Sequence, residues 1–465
     1  MSIFFFSFFN FTAPDLSRIC RVLFLGLLAL LLISPSPIFS AATALDHPLK
    51  MTLKLSPHVH YATHKQVGDT YYSHFKDIDE FRYYSQRPYF AFLGLEKQFP
   101  NQWRIVGDLG AKLDWIQLDE SSRVPQKKAV YAHNFNFQIN QRGFIEKKGA
   151  FYLFKFGRDY LVWDADRTGT ILTHNLPALD HIRFDYWGRF WRYQSFFIDA
   201  NSRNDISKNT PNDIIGHRLD ISIGRHWTLT FAELMRLVTE PSISDMNPFF
   251  LAYHNRNIRG HNHMSSFGLK NHSLKNKTLF IHLDIDQLDV SNVDVISSST
   301  NKNDFIYGFQ TGIIAPKYSA TYTQTHPHLY LGIPGHGHEF VHVDSHTKLG
   351  ANYFKRFMGY PLGGGVQSAD FIFKWAESQS LQYRWVSQQA NIFFDDPDIS
   401  GTNTRHRLGL SYSQALNPRL SAFIFAAIET HSNYRFTDTS RTVTDIMTGL
   451  TYSLTTQYQS PHKES

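Results

Sequence analysis

The stretch Gly216–Arg236 reads GHRLDISIGRHWTLTFAELMR, and its alternation decides the fold. Leu219, Ile221 and Ile223 alternate with Arg218, Asp220 and Ser222. Successive side chains of a strand point to opposite faces, so this is a ribbon apolar on one side only. Gly224–Trp227 turns the chain, and Thr228–Phe231 resumes the alternation until Glu233 lands on the face that had been apolar. Either a bulge or the end of the apolar band accounts for that residue. From this window alone a soluble β-sandwich hairpin fits equally well. Recurrence of the pattern separates the two.

Alternating segments recur from Pro88 to Leu454, and the connections between them are alternately short and long. Short links stand at 99–102, 187–189, 315–317 and 377–380, and polar excursions at 119–128, 159–177, 200–215, 237–260, 289–303 and 326–365. The segments from Pro88 number 17, and one more is expected within Thr70–Tyr84, giving 18. An even number puts both ends of a closed barrel on one side, with short turns there and long loops on the other. The predicted fold is therefore all-β: an antiparallel transmembrane β-barrel of about 18 strands with long extracellular loops. Links 315–317 and 377–380 are expected in the periplasm, and 201–210 and 391–401 outside. The expected lipid face carries Phe371, Phe373 and Trp375, then Leu381, Tyr383 and Trp385, then Leu408, Leu410 and Tyr412. Ile446, Leu450, Tyr452 and Leu454 continue it. Gln367, Lys374, Gln382, Arg384 and Arg407 are expected to face a wet lumen.

Composition agrees. Aromatic residues make up 15% of the 465, including 40 Phe and 23 Tyr, yet mean hydropathy is only −0.32. A barrel reads this way because polar lumen residues dilute its lipid-facing ones. The N-terminus differs: Arg18 and Arg21 precede the apolar run Val22–Ile33, followed by Pro35, Pro37 and small residues. That run is too short to span a bilayer and has the order of a secretory signal, expected to be cleaved after Ala44, an uncleaved anchor being the alternative. Cys20, the only cysteine, would leave with it, so no disulfide is expected. The expected organisation is residues 1–44 as signal peptide, 45–69 as a short periplasmic segment, 70–456 as barrel and 457–465 as a polar tail. Gly449, Tyr452 and Leu454 are similar to the C-terminal signal read by barrel-insertion machinery. The +6 charge is spread along the chain, which gives no nucleic-acid footprint.

Several segments together resemble a known family. They are GRDYLVWDADRTGTIL from Gly157, LPALDHIRF from Leu176, HRLDISIG from His217, FAELM from Phe231, SDMNPFFLAYHNR from Ser244, YPLGGG from Tyr360, and Asp370. In this order they resemble the capsule assembly proteins called Wzi, most strongly over 151–288 and 353–370. The resemblance implies an outer-membrane barrel of about 18 strands whose outer face binds capsular polysaccharide and retains it at the cell surface. The chain departs from that family in having only residues 41–68 available for an N-terminal helical segment.

Sugars are held by aromatic faces against the apolar side of the ring and planar polar groups against hydroxyls. Tyr160, Trp163 and Asp164 on one expected outer loop, and Asn247, Tyr253 and Arg256 on another, are the candidate glycan-binding residues. Packing between loops is the alternative for each. Histidines 326, 328, 336, 338, 342 and 346 invite a metal reading. Glycines at 335 and 337 and the lack of Cys or a paired carboxylate favour a polar loop instead. No cofactor, metal or catalytic residue is expected, and no nucleophile elbow is present. The expected function is non-enzymatic binding and attachment of surface polysaccharide, in the outer membrane of a Gram-negative bacterium. Outer-membrane lipid and the insertion machinery are the further expected partners. A solute porin is the leading alternative and a membrane-embedded hydrolase a third, and the first two differ in whether outer loops, mainly 326–365, fold in and close the lumen.

Overall fold

The computed structural model describes residues 49–62, 89–118, 130–136, 142–163, 171–172, 178–199, 213–237, 262–286, 306–327, 329, 341–344, 354–357, 364–389, 401–433 and 440–458. In chain order the strands are β1 (Leu49–Leu55), β2 (His58–Ala62), β3 (Ala91–Gln98), β4 (Trp103–Leu118), β5 (Val130–Asn136), β6 (Gly143–Lys148) and β7 (Tyr152–Asp159). Then come β8 (Leu179–Trp187), β9 (Trp191–Asp199), β10 (Ile214–Ile223), β11 (Trp227–Arg236), β12 (Asn262–Asn271), β13 (Thr278–Asp286), β14 (Ile306–Ile314) and β15 (Tyr318–Thr325). The last are β16 (Val341–Asp344), β17 (Phe354–Phe357), β18 (Val366–Ala376), β19 (Gln379–Gln389), β20 (Thr402–Asn417), β21 (Leu420–Ser432) and β22 (Arg441–Tyr458). All but the separate hairpin β16–β17 belong to one antiparallel sheet, which closes where β1 pairs with both β3 and β22.

Two pairs of segments each act as one strand, so the closed wall has 18 strands. β1 and β2 follow β22 in continuous register, from Leu55 opposite Tyr452 to His58 opposite Gly449. Pro57, which lacks an N–H, separates the two, while its carbonyl still accepts from Leu450 at 3.1 Å. β5 and β6 both run beside β4: Lys112 faces Asn136 and Gly107 faces Gly143. Between those two contacts β4 has four residues and its neighbour six, so the register differs by two residues on either side of them.

The expected count is right, but the first strand is not where it was expected. The segment 45–69, read from sequence as a periplasmic lead-in, supplies the closing ladder Leu49–Ala62. Its lysines at 50 and 54 hid it, since they alternate with apolar residues on a strand whose other face is wet. Thr70–Tyr84 lies outside the described residues. Gly143–Lys148 is itself a strand, hairpinned to β7 through Gly149–Phe151.

Polarity is inverted relative to a soluble protein. Leu408, Leu410, Tyr412, Ile446 and Leu450 stand exposed, while Asp185, Asp370, Arg405, Arg407 and Glu429 are buried. Phe371, Phe373, Trp375, Leu381 and Tyr383 are outward as expected. Phe151, Tyr152, Phe190, Trp191, Trp227 and Trp375 form an exposed girdle at the short-turn end. A continuous apolar exterior with a polar interior is the arrangement of a transmembrane barrel. Among the described residues no helix is long and apolar enough to cross a membrane. Gln367 corrects one face assignment: it shares the parity of Phe371, so it points outward near the long-loop end.

Glu233 is explained by the end of the apolar band. The β10–β11 register runs unbroken from Ile223 opposite Trp227 to Ile214 opposite Arg236, so no bulge intervenes. Glu233 stays on the outward face, where its Oε1 is 2.8 Å from Nδ1 of His217 and its Oε2 3.3 Å from Nε2 of His263. All three are buried, as are Ile215, Met235 and Leu237 beside them.

Candidate functional site: the filled outer end of the lumen

Two glycines shape the lumen wall near the long-loop end. A side chain on Gly216 would meet the Phe196 ring at 2.1 Å, and one on Gly308 would meet Leu329 at 2.9 Å. Their absence lets Phe196 lie over β10 and Leu329 over β14. Around Phe196 the inward residues are apolar: Leu179, Ile198, Ile214, Leu234 and Met264. That is unusual for a watery channel, and the reason is the connection between β7 and β8. Leu161, Trp163, Ile171 and Leu172 turn into the lumen and pack on this wall in one contiguous buried cluster. Trp163 is 8% exposed, and its ring centroid lies 5.2 Å from that of Phe196. The cluster continues through Leu329, from the connection after β15, to Val366 and Val386 on β18 and β19. Those strands stand across the barrel from β8–β12, so the apolar contact reaches from wall to wall.

Polar bonds fix the inserted segment. The Trp163 N–H donates to the Leu172 carbonyl at 3.2 Å. The Trp163 carbonyl accepts from Nη1 of Arg218, whose Nε donates to Asp220 at 3.0 Å. Asp220 also accepts from the Thr230 hydroxyl at 2.6 Å. A buried guanidinium placed between a carboxylate and a carbonyl meets the requirement that an interior charge be compensated.

Elsewhere the lumen wall carries charges paired along it. Asp185 accepts from Arg183, Arg192 and Gln194 at 2.7–3.0 Å. Lys155 bridges Asp159 at 2.6 Å and Glu146 at 3.2 Å, and Glu146 also meets Arg104 at 2.9 Å. Asp370 pairs with Arg384, and Glu429 lies 3.2 Å from His431 and 4.0 Å from Arg407. Such pairing leaves little net field of either sign along these stretches.

Of the six candidate glycan residues, two are described. Tyr160 is partly buried, and its hydroxyl is 3.4 Å from that of Tyr89. Burial, with Tyr89 beside it, pushes its phenol upward, so it stays neutral as a donor. Trp163 turns inward, so its ring faces Phe196 rather than the outside. Asp164, Asn247, Tyr253 and Arg256 lie outside the described residues. Of the six histidines, His326 packs its ring 6.3 Å from Tyr307, while the side chains of the rest lie outside the described set. At the rim Asp213 is buried and its carboxyl is pushed up to about 6, by burial and then by the charge of Asp199.

Sequence reading missed Leu161, Ile171, Leu172 and Leu329 as lumen fillers and Arg218 as the group that holds the segment. A signal existed in the pair Ile171–Leu172, an apolar doublet in a long connection that has no lipid to face. Gly216 was a second, interrupting the alternation of β10 on its inward face.

No protein-family model matches the sequence, and no curated protein does. Among solved structures the chain is similar to Wzi of Escherichia coli, described as an outer-membrane protein involved in group 1 capsule assembly and a carbohydrate-binding β-barrel. The identity is 13%, covering 90% of this chain and 86% of that one, with a TM-score of 0.48. It is also similar to OccK5 (OpdH) of Pseudomonas aeruginosa, at 9% identity over 88% and 98% of the two chains and a TM-score of 0.45. OprD of the same species matches at 9% identity over 88% and 95%, with a TM-score of 0.45.

Proposed function

We propose that this protein is a non-enzymatic barrel of a Gram-negative outer membrane that binds surface polysaccharide, capsular or exopolysaccharide, and helps attach or assemble it at the cell surface. The observation that carries the reading is the apolar cluster across the lumen. An aqueous pore gains nothing from fourteen buried apolar residues at its outer end, whereas a binding protein gains a rigid floor under its loops. The Wzi-like order of motifs adds to this, and the carbohydrate binding described for the Escherichia coli protein is consistent with it.

In this reading Trp163 acts from below, as part of the floor, and Tyr160, Asp164, Asn247, Tyr253 and Arg256 contact glycan from the loops above. Repeating sugars present many equivalent sites, so weak contacts retain a chain by avidity. Residues 1–44 act as a cleaved signal, and the short turns face the periplasm, where the insertion machinery meets the last strand. An epitope tag at Pro316 should be inaccessible on intact cells, and exposure there would reverse this topology.

A substrate-selective porin is the second reading, favoured by the charge pairs along the wall. Planar-bilayer recording separates them. Purified protein should give no stable unitary conductance, and deletion of the gene should release polysaccharide into the medium. A stable open current together with unchanged polysaccharide retention would put the porin reading first.

A further inference from the structure

Positive charge is spread along the sequence, but the fold gathers much of it at one end. Each hairpin at the short-turn end carries a cation in its turn or close beside it. Arg189, Arg225, Lys275, Lys277, Lys317 and Arg419 lie in the turns themselves, all exposed except the partly buried Lys277. The turn 99–102 is preceded by Lys97, 149–151 by Lys147 and Lys148, and 377–378 by Lys374. Among the described short turns Glu377 is the only carboxylate. This end of the barrel is a basic ring, assembled from positions that lie far apart in the chain.

The ring divides according to the side of the wall that each cation occupies. Lys147 stands opposite Trp103 in the β4–β6 ladder, on the face that carries the exposed Ile105 and Ile145. Its Nζ lies 5.2 Å from the Trp103 ring centroid. Arg189 sits 4.8 Å from the ring of the exposed Phe190. Lys277 sits 5.7 Å from the ring of Tyr318, which pairs with the lipid-facing Phe373. Each contact sets a cation against the face of an outward aromatic. Such aromatics mark the headgroup level of a membrane, so these cations are held at the membrane surface on the outer side of the barrel. Lys50, Lys54, Lys148 and Lys374 occupy the alternate positions of their strands and face the lumen.

We propose that the outward part of this ring is a binding surface for anionic glycerophospholipid, whose phosphates meet Arg189, Arg225, Lys275 and Lys277 around the short-turn edge. Two observations choose the occupant. The cations are seated on the aromatic belt, where headgroups lie, and they follow the circumference from the β8–β9 turn round to the β20–β21 turn, as a lipid annulus does. Cations so placed, without carboxylates among them, are attracted to an anionic membrane surface and screened by salt. The surface is independent of what the outer loops bind.

Electron spin resonance of the full-length barrel reconstituted in phosphatidylcholine tests it, with spin-labelled phosphatidylglycerol or spin-labelled phosphatidylcholine as the probe. The spectra separate lipid held at the protein from bulk lipid. Wild type should hold the phosphatidylglycerol label about fivefold more strongly than the phosphatidylcholine label at low salt, and about 1 M salt should remove most of that preference. Arg189→Gln, Arg225→Gln, Lys275→Gln and Lys277→Gln combined should also remove most of it. Lys50→Gln, Lys54→Gln, Lys148→Gln and Lys374→Gln combined take as many charges from the lumen side and should leave it intact. Heat-modifiable gel mobility verifies that each variant is folded. Equal wild-type retention of the two labels would overturn the proposal. So would an equal loss of preference in the two variants, which would assign the effect to the lumen mouth or to net charge rather than to the outer edge.

Discussion

The two sides of the lumen at its outer end are buried alike but by opposite chemistry. On β8–β12 the inward residues are Leu179, Ile198, Ile214, Leu234 and Met264. On β20 and β21, across the barrel, they are Arg405, Arg407, Glu429 and His431, each no more than 5% exposed. Both belong to the polar-in, apolar-out alternation that a barrel imposes, and only the first breaks it. The break marks where a connection has come inside: Leu161, Trp163, Ile171 and Leu172 cover these inward apolar side chains. The ionic side keeps the rule and satisfies its charges by pairing. The apolar side is therefore a docking surface for chain that has folded inside, while the ionic side is wall.

The largest way to break this contrast is Trp163→Ala. Truncating a buried Trp costs about 3–5 kcal/mol, and here the loss falls on the inserted segment rather than the ladder. Unitary currents should appear in planar bilayers where wild type is silent, with β-sheet circular dichroism unchanged. Loss of the barrel itself would mean that the segment is part of the wall's stability.

On the ionic side Glu429→Ala should cost about 3 kcal/mol, because Arg407 and His431 lose a buried counter-charge. Urea midpoints in folded micelles measure it, and no current should follow. A control lies on the outside: Tyr383→Arg should cost about 2–3 kcal/mol of insertion free energy, whereas Gln382→Ser, inward on the same strand, should leave liposome folding yields unchanged. Equal yields would undo the assignment of faces.

The smallest effect concerns Asp213, at the rim beside the apolar side. Its carboxyl is raised from the ordinary 3.8 to about 6, so between those values the folded state holds more proton than the unfolded one. Stability should fall as pH rises from about 4 through about 6 and level off above. Asp213→Asn should flatten that slope, and urea midpoints between pH 4 and 7 measure the difference.

Local alternation determined a great deal by itself. Period two fixes which side chains share a face, so the lipid-facing sets at Phe371–Trp375, Leu381–Tyr383 and Leu408–Tyr412 were legible without coordinates. Alternating connection lengths fixed an even strand number and the common end of both termini. Where the pattern was interrupted, sequence left the answer open. Glu233 fitted a bulge or a band edge, and only the unbroken register with His217 and His263 chose the edge. Leu49–Ala62 reads from sequence as part of a periplasmic segment, and its pairing with β22 and β3 makes it wall. Trp163 looked like an outer sugar platform, and it is inside against Phe196. The physical reason is common to all three. A strand's faces follow from its own residues, but which solvent each face meets is decided by what folds over it, and the chain elements that do so are remote in sequence.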